Sequence, residues 1–170
     1  LSELDVMETT TLVLDRLPLY QMAENCVDML QVNAEKHQVT LKLEGEPAYI
    51  MGNREMVDEV LYNLCDNAIR YNNIDGSVTV RVEPKGEKVC LCVEDTGIGI
   101  PEKHQSHVFE RFYRVDKSRS KATGGTGLGL AIVKHIVAQH EAELKLESEP
   151  GKGTRITILF ENADKDDTMN

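Results

Sequence analysis

Val78, Val80 and Val82 alternate with polar residues, the chain turns at Pro84-Lys85-Gly86-Glu87, and Val89 to Val93 alternates again. Period-two runs on both sides of a turn predict a strand–turn–strand hairpin. A second hairpin is predicted from Glu143 to Glu147 and Arg155 to Phe160, around Glu149-Pro150-Gly151-Lys152-Gly153. Shorter strands are expected over Val39–Leu43 and Ala48–Met51. Three segments instead show the helical period. After Pro18, residues Leu19, Met22, Ala23, Cys26, Val27 and Leu30 give a helix ending near His37. Asn53 can cap a second, striped by Met56, Val57, Val60, Leu61, Leu64, Ala68 and Ile69. Leu128 to His140 is the third. Helices and strands in such unequal runs predict an α/β (α+β) two-layer sandwich, a mixed, mostly antiparallel sheet with helices on one face.

Composition narrows the chemistry. The 170 residues fit one domain. Lys and Arg number 19 against 29 Asp and Glu, a net charge of −10. That balance argues against a general nucleic-acid or anionic-membrane binder. No run approaches the ~20 apolar residues of a membrane span, so no direct membrane contact is expected. The four cysteines match no zinc spacing; they lie in apolar patterns and fit buried thiols in a reducing cytoplasm. The chain opens at Leu1 without a signal pattern and reads as part of a longer protein. Residues 1–16 are expected to hold a helix end and a linker, 17–161 one folded domain, and 162–170 a disordered polar tail.

Three polar constellations stand out. Asn63, Asn67 and Arg70 are four and three apart, so they share a helix face away from the apolar stripe. Asn is a poor interior helix residue, and two at this spacing are either solvated or purposeful. An amide oxygen at Asn67 suits Mg²⁺, which takes hard oxygen ligands and fills its shell from water and phosphates; Arg70 would face the same phosphates. Asp95-Thr96-Gly97-Ile98-Gly99 follows directly on a strand. There Asp95 can accept a hydrogen bond from an exocyclic amine, and Gly97 and Gly99 allow close approach to a flat ligand; the alternative is an ordinary turn. Gly124-Gly125-Thr126-Gly127-Leu128-Gly129-Leu130 opens the last helix, where unpaired N–H groups bind anions. It lacks the Lys-Ser/Thr of a Walker A loop, and no strand precedes it as in a dinucleotide fold; a flexible hinge is the alternative. Between these sites Arg111, Arg114, Lys117, Arg119 and Lys121 face only one acid, Asp116. A basic loop tied to a nucleotide site attracts polyphosphate. Phe109 and Phe112 would dock it as a lid.

Taken together, these residues resemble the ATP-binding catalytic domain of bacterial sensor histidine kinases, in the wider group with gyrase, Hsp90 and MutL. The N box is similar to Asn63-Leu-Cys-Asp-Asn67-Ala-Ile-Arg70-Tyr71, the G1 box to Asp95-Thr-Gly97-Ile-Gly99, the F box to Phe109-Glu-Arg-Phe112-Tyr-Arg114, and the G2 box to Gly125-Thr-Gly127-Leu-Gly129-Leu. All four stand in family order. The resemblance implies a Bergerat fold binding Mg-ATP. It implies that Asp95 reads the adenine amine, Asn67 holds Mg²⁺ with Asn63 supporting it, and Tyr71 packs at the nucleotide. Gly125, Thr126, Gly127, Leu128 and Gly129 would frame the triphosphate, with Arg114 on the lid.

The hydrolysing relatives carry Glu four residues before the metal Asn. Here Asn63 occupies that position, and an amide takes no proton at neutral pH. The resemblance thus implies phosphoryl transfer to a side chain with slow hydrolysis. The family's acceptor is a His in a His-Glu-x-Arg/Lys-x-Pro context on a dimeric helical hairpin, and none of His37, His104, His107, His135 and His140 has that context. The chain alone is therefore expected to bind ATP without phosphorylating itself. Its implied partners are its own dimerisation and phosphoacceptor domain, in a homodimer, and a response regulator that receives the phosphoryl group on Asp. The implied location is the cytoplasmic part of a membrane-anchored protein. In the family, the His at the position of His140 is followed by Gly-Gly; Glu141-Ala142 stands here.

Overall fold

The structure, a computed structural model, describes residues 12–113 and 129–164. In chain order its elements are β1 (Asp15–Pro18), α1 (Leu19–Lys36), β2 (Thr40–Gly45), β3 (Tyr49–Gly52), α2 (Arg54–Arg70), β4 (Ser77–Lys85), β5 (Lys88–Asp95), α3 (Glu102–Gln105), α4 (Gly129–Gln139), β6 (Glu143–Glu149) and β7 (Gly153–Glu161). Five strands form one sheet in the order β2-β4-β5-β7-β6. Only β2 and β4 pair in parallel; the other three ladders are antiparallel. This is the mixed, mostly antiparallel sheet expected from the sequence, with both predicted hairpins in place.

The alternation explains the layering. Val78, Val80 and Val82 of β4, Val89, Leu91 and Val93 of β5, and Ile156, Ile158 and Phe160 of β7 point to one face and are buried there. The apolar stripes of α1, α2 and α4 cover that face and complete a single core. Burying each Val or Leu side chain contributes roughly 1.5–3 kcal/mol, so the inner face holds the layers together. The other face is polar, with ladder ion pairs Arg81–Glu44 at 3.0 Å and Arg155–Glu94 at 2.7 Å. Cys90 and Cys92 lie on that side beneath the charged side chains. Burial raises both thiol pKa values, and all four cysteines are free and buried.

The start of α2 follows the sequence reading. Asn53 caps it, its Oδ1 accepting the Met56 N–H at 3.1 Å. Other boundaries differ. Asp15–Pro18 forms a strand against Tyr49–Gly52, so this strand straddles the boundary expected at 17. Leu17, buried at the centre of that ribbon, is the reason. At the other end, Asn162 to Asp164 were expected in the disordered tail. Instead Asn162 is buried and bridges Ile50, the Ala163 N–H donates to Tyr49 O at 2.9 Å, and Asp164 pairs with Arg16 at 2.8 Å. No described helix is long and apolar enough to cross a membrane.

His140 follows the end of α4. The sequence places it where a charged imidazole would suit the helix's negative end. In the structure burial pushes its pKa below the usual histidine value, and the ring works as a neutral bridge. Its Nδ1 lies 2.8 Å from Ile136 O, and its Nε2 accepts the Asn53 N–H at 3.0 Å.

Candidate functional site

Helix α2 is the spine along which the sequence-predicted residues gather. Asn63 donates its Nδ2 to Glu59 O at 2.8 Å, one turn back. That fixes the carboxamide and leaves Oδ1 toward the start of α4, where a Cβ added to Gly129 would lie 3.1 Å from it. Glycine at 129 thus lets the two helices meet at this point. Asn67 is half-buried, and no side-chain hydrogen bond joins it to the described residues. Half-buried in mid-helix, its amide is within reach of solvent or of a ligand. Arg70 does not stand apart: its Nε pairs with Asp66 Oδ2 at 2.7 Å, one turn earlier. At the C-terminal end of the helix, Tyr71 O accepts the Ile98 N–H at 3.2 Å. Eight residues separate Asn63 from Tyr71, roughly 12 Å of helix, with Asn67 midway.

The segment after β5 is stitched to both neighbours. Asp95 Oδ1 accepts the Gly97 N–H at 2.9 Å and the Thr154 N–H at 3.2 Å. No hydrogen bond from the described residues uses Oδ2. Burial outweighs those two N–H bonds and pushes the carboxyl pKa up to about 6. Gly97 is buried, and a Cβ there would sit 2.4 Å from Tyr71 O. Gly99 has φ +73°, and a Cβ there would sit 2.1 Å from Glu149 O. The close approach both glycines permit is therefore to the protein's own backbone, Gly97 against the end of α2 and Gly99 against the β6–β7 turn. The carboxylate of Asp95 is thereby locked between a helix and a hairpin.

Of the stretch predicted to carry a lid, residues up to 113 are described. Phe109 is half-buried and lines a groove with Gln105, Lys134, Val137 and Leu144. Phe112 is 61% exposed with φ +65°, and Arg111 stacks over its ring at 5.6 Å. Tyr113 turns back instead, its hydroxyl bonded to His104 Nδ1 and its ring stacked on His107. Arg114, Gly125, Thr126, Gly127 and Leu128 lie outside the described residues.

Sequence reasoning missed Asn72, Ser148 and Thr154. Asn72 is buried; its Nδ2 donates to Ser77 O at 2.9 Å and its Oδ1 accepts the Asn73 N–H at 2.8 Å. It braces the turn that carries α2 into β4. Ser148 Oγ accepts the Ile100 N–H at 2.8 Å, holding the far end of the Asp95 segment. The polar run Asn72-Asn73 after a helix was a detectable signal for the first. Nothing local in the sequence marks the other two, which act across 48 and 59 residues. Among the described residues no cluster of three His, Cys, Asp or Glu could hold a metal.

Comparison with known proteins places this geometry in context. The family described as histidine kinase-, DNA gyrase B-, and HSP90-like ATPase matches residues 52–164. The sensor-like histidine kinase SenX3 of Mycolicibacterium smegmatis is 38% identical over 146 residues, 85% of this chain and 38% of the relative. The phosphate regulon sensor protein PhoR of Pseudomonas aeruginosa is 43% identical over 121 residues, 71% of this chain and 27% of the relative. The chain thus spans between a quarter and two fifths of the length of these curated relatives. Among solved structures, the mycobacterial sensor histidine kinase MprB superposes with a TM-score of 0.76 at 25% identity, covering 88% of this chain and 98% of that one. Full-length ShkA, solved in complex with AMPPNP, superposes at 0.79 with 21% identity over 94% of this chain and 34% of that one, a likeness of fold.

Proposed function

Since the chain belongs to the histidine kinase-, DNA gyrase B-, and HSP90-like ATPase family, we propose that it is the Mg-ATP-binding catalytic domain of a two-component sensor histidine kinase. In this reading it transfers the γ-phosphoryl group to a His on a separate dimerisation domain, for onward transfer to an Asp of a response regulator. The folded catalytic unit is residues 15–164, and the whole protein works as a homodimer with its catalytic part in the cytoplasm.

The observation that carries the reading is the state of Asp95. Two backbone amides fix Oδ1 and leave Oδ2 for a donor such as the exocyclic amine of adenine. The base would lie near Tyr71 at the C-terminal end of α2. The triphosphate would run back along the helix toward Asn63 and Gly129, beneath Gly125, Thr126, Gly127 and Leu128. Nucleotide and helix are matched in length, since about 12 Å separates the two ends.

The residues present fit Mg²⁺. Asn67 has a half-buried amide oxygen with no hydrogen-bond partner among the described residues, and the rest of a magnesium shell comes from phosphates and water. When bound, the ion would offset phosphate charge and orient the triphosphate. Arg70 is held by Asp66 along its Nε edge, so its guanidinium has a fixed orientation near the same phosphates. Arg114 would add charge from the lid.

Asn63 decides the direction of the chemistry. Its Nδ2 is spent on Glu59 O, and an amide cannot accept a proton from water. The site therefore positions a phosphoryl group for a side-chain nucleophile without activating water. The test mixes this chain with a separately made acceptor hairpin and γ-labelled Mg-ATP. An acid-labile, base-stable label on the hairpin is expected, and none on the chain alone. A mixture in which the two proteins bind and no phosphohistidine forms rejects the proposal.

A further inference from the structure

Helices α2 and α4 run antiparallel. The start of α4 meets the middle of α2, where Gly129 faces Asn63, and the end of α4 meets the start of α2, where His140 faces Asn53. The second contact is chemically one-way. Ile136 O can only accept, so His140 Nδ1 carries the proton; the Asn53 N–H can only donate, so Nε2 carries the lone pair. One neutral tautomer satisfies both. The ring is further held edge-on by Phe160, with centroids 5.9 Å apart. Asn53 is itself the cap of α2, so the imidazole grips the residue that starts that helix.

We propose that His140 is a positioning residue which, through its bond to Asn53, sets the register of α4 along α2 and so the placement of the Gly129 end against the Asn63 and Asn67 amides. The proposal rests on the nucleotide reading above for its functional consequence, but not for the register itself. α4 has only 11 residues, and its far end is its one hydrogen-bonded link to α2 among the described residues. A slip there moves the phosphate-facing end by the same distance.

Two substitutions separate this role from general packing. Gln at 140 can place an acceptor where Nε2 stands, and Asn can place a donor where Nδ1 stands without reaching Asn53. His140→Gln is expected to keep wild-type affinity for a non-hydrolysable Mg-ATP analogue. His140→Asn is expected to weaken it by about tenfold, the size of one lost hydrogen bond. Without nucleotide, His140→Asn is expected to speed amide exchange in α4 beyond its first turn, and His140→Gln to leave it slow. Circular-dichroism melts report the folded fraction of each variant. Equal behaviour of the two variants, or a loss that merely tracks unfolding, overturns the proposal. If wild type binds no nucleotide while the exchange difference persists, the register role stands and the nucleotide reading fails.

Discussion

Thr154 donates its backbone N–H to Asp95 Oδ1 at 3.2 Å, joining the second residue of β7 to the last residue of β5. With the Gly97 N–H it is one of only two described donors to a carboxyl that burial holds at a pKa of about 6. The sign of the effect on stability follows. The folded pKa lies above the ordinary 3.8, so the favourable contribution is complete below pH 3.8 and is lost as pH rises through about 6. Asp95→Asn keeps an oxygen for both amides and removes the buried charge. It should therefore be more stable than wild type at pH 7.5, by up to ~3 kcal/mol, with the advantage gone near pH 4. Urea titrations of both proteins at the two pH values check this. A variant less stable than wild type at pH 7.5 would show that the carboxylate is not strained by burial.

The same substitution should separate base from phosphate. Asn presents an amide oxygen or an amide nitrogen but no anionic acceptor, so adenosine binding should fall far more than binding of inorganic triphosphate. For wild type, adenosine affinity should decline as pH drops below about 6, because the protonated Asp95 no longer offers a free carboxylate. Calorimetric titration with the two ligands reads this directly. Equal losses for both would contradict the placement of the base.

Much of this was legible locally. The Val78–Val82 and Val89–Val93 alternation marks strands because a solvated outer face and a buried inner face demand period two. Asn53 marks a helix start because its side chain alone can meet the Met56 N–H. What escaped was decided at long range. Asp15–Pro18 contains a Pro and only one buried residue, Leu17, and is a strand because Tyr49–Gly52 lies beside it. His140 reads as a helix-end charge until Asn53, 87 residues away, supplies the donor that requires it neutral. Asp95 was legible as a candidate residue, whereas the Thr154 amide that fixes its orientation was not.

Asn67→Ala should uncouple function from folding. The side chain has no hydrogen-bonded partner among the described residues, and Ala is the better helix former by about 0.7 kcal/mol. Stability should stay the same or rise by that amount while Mg²⁺-dependent nucleotide binding is abolished. Asn72→Ala is the contrast: its side chain is buried and bonded on both sides, and losing it should cost about 1–3 kcal/mol. Thermal melts and nucleotide titrations with and without Mg²⁺ check both. Normal Mg²⁺-dependent binding by Asn67→Ala would show the metal to be held elsewhere.

Two helices end alike, and neither ending uses the residue that suits it. After α1, Gln38 has φ +58°, with Gln38 N–H to Glu35 O at 3.0 Å and Val39 N–H to Ala34 O at 2.9 Å. After α4, Glu141 has φ +52°, with Glu141 N–H to Ala138 O at 3.1 Å and Ala142 N–H to Val137 O at 3.0 Å. Both are the paired-bond termination that normally places Gly at the left-handed position. The turn after His140 is thus kept although Glu141-Ala142 replaces Gly-Gly, and a Cβ in that region costs roughly 1–2 kcal/mol. Gly gives back part of this through its greater freedom when unfolded. Gln38→Gly and Glu141→Gly should each stabilise by about 0.5–1 kcal/mol. The sites share no bonding partner, so the double variant should gain the sum. Urea midpoints should rise with unchanged slopes, because the change lies in local backbone strain and leaves the buried area intact. A midpoint that falls in either single variant would mean that the Gln38 or Glu141 side chain contributes more than its backbone conformation costs.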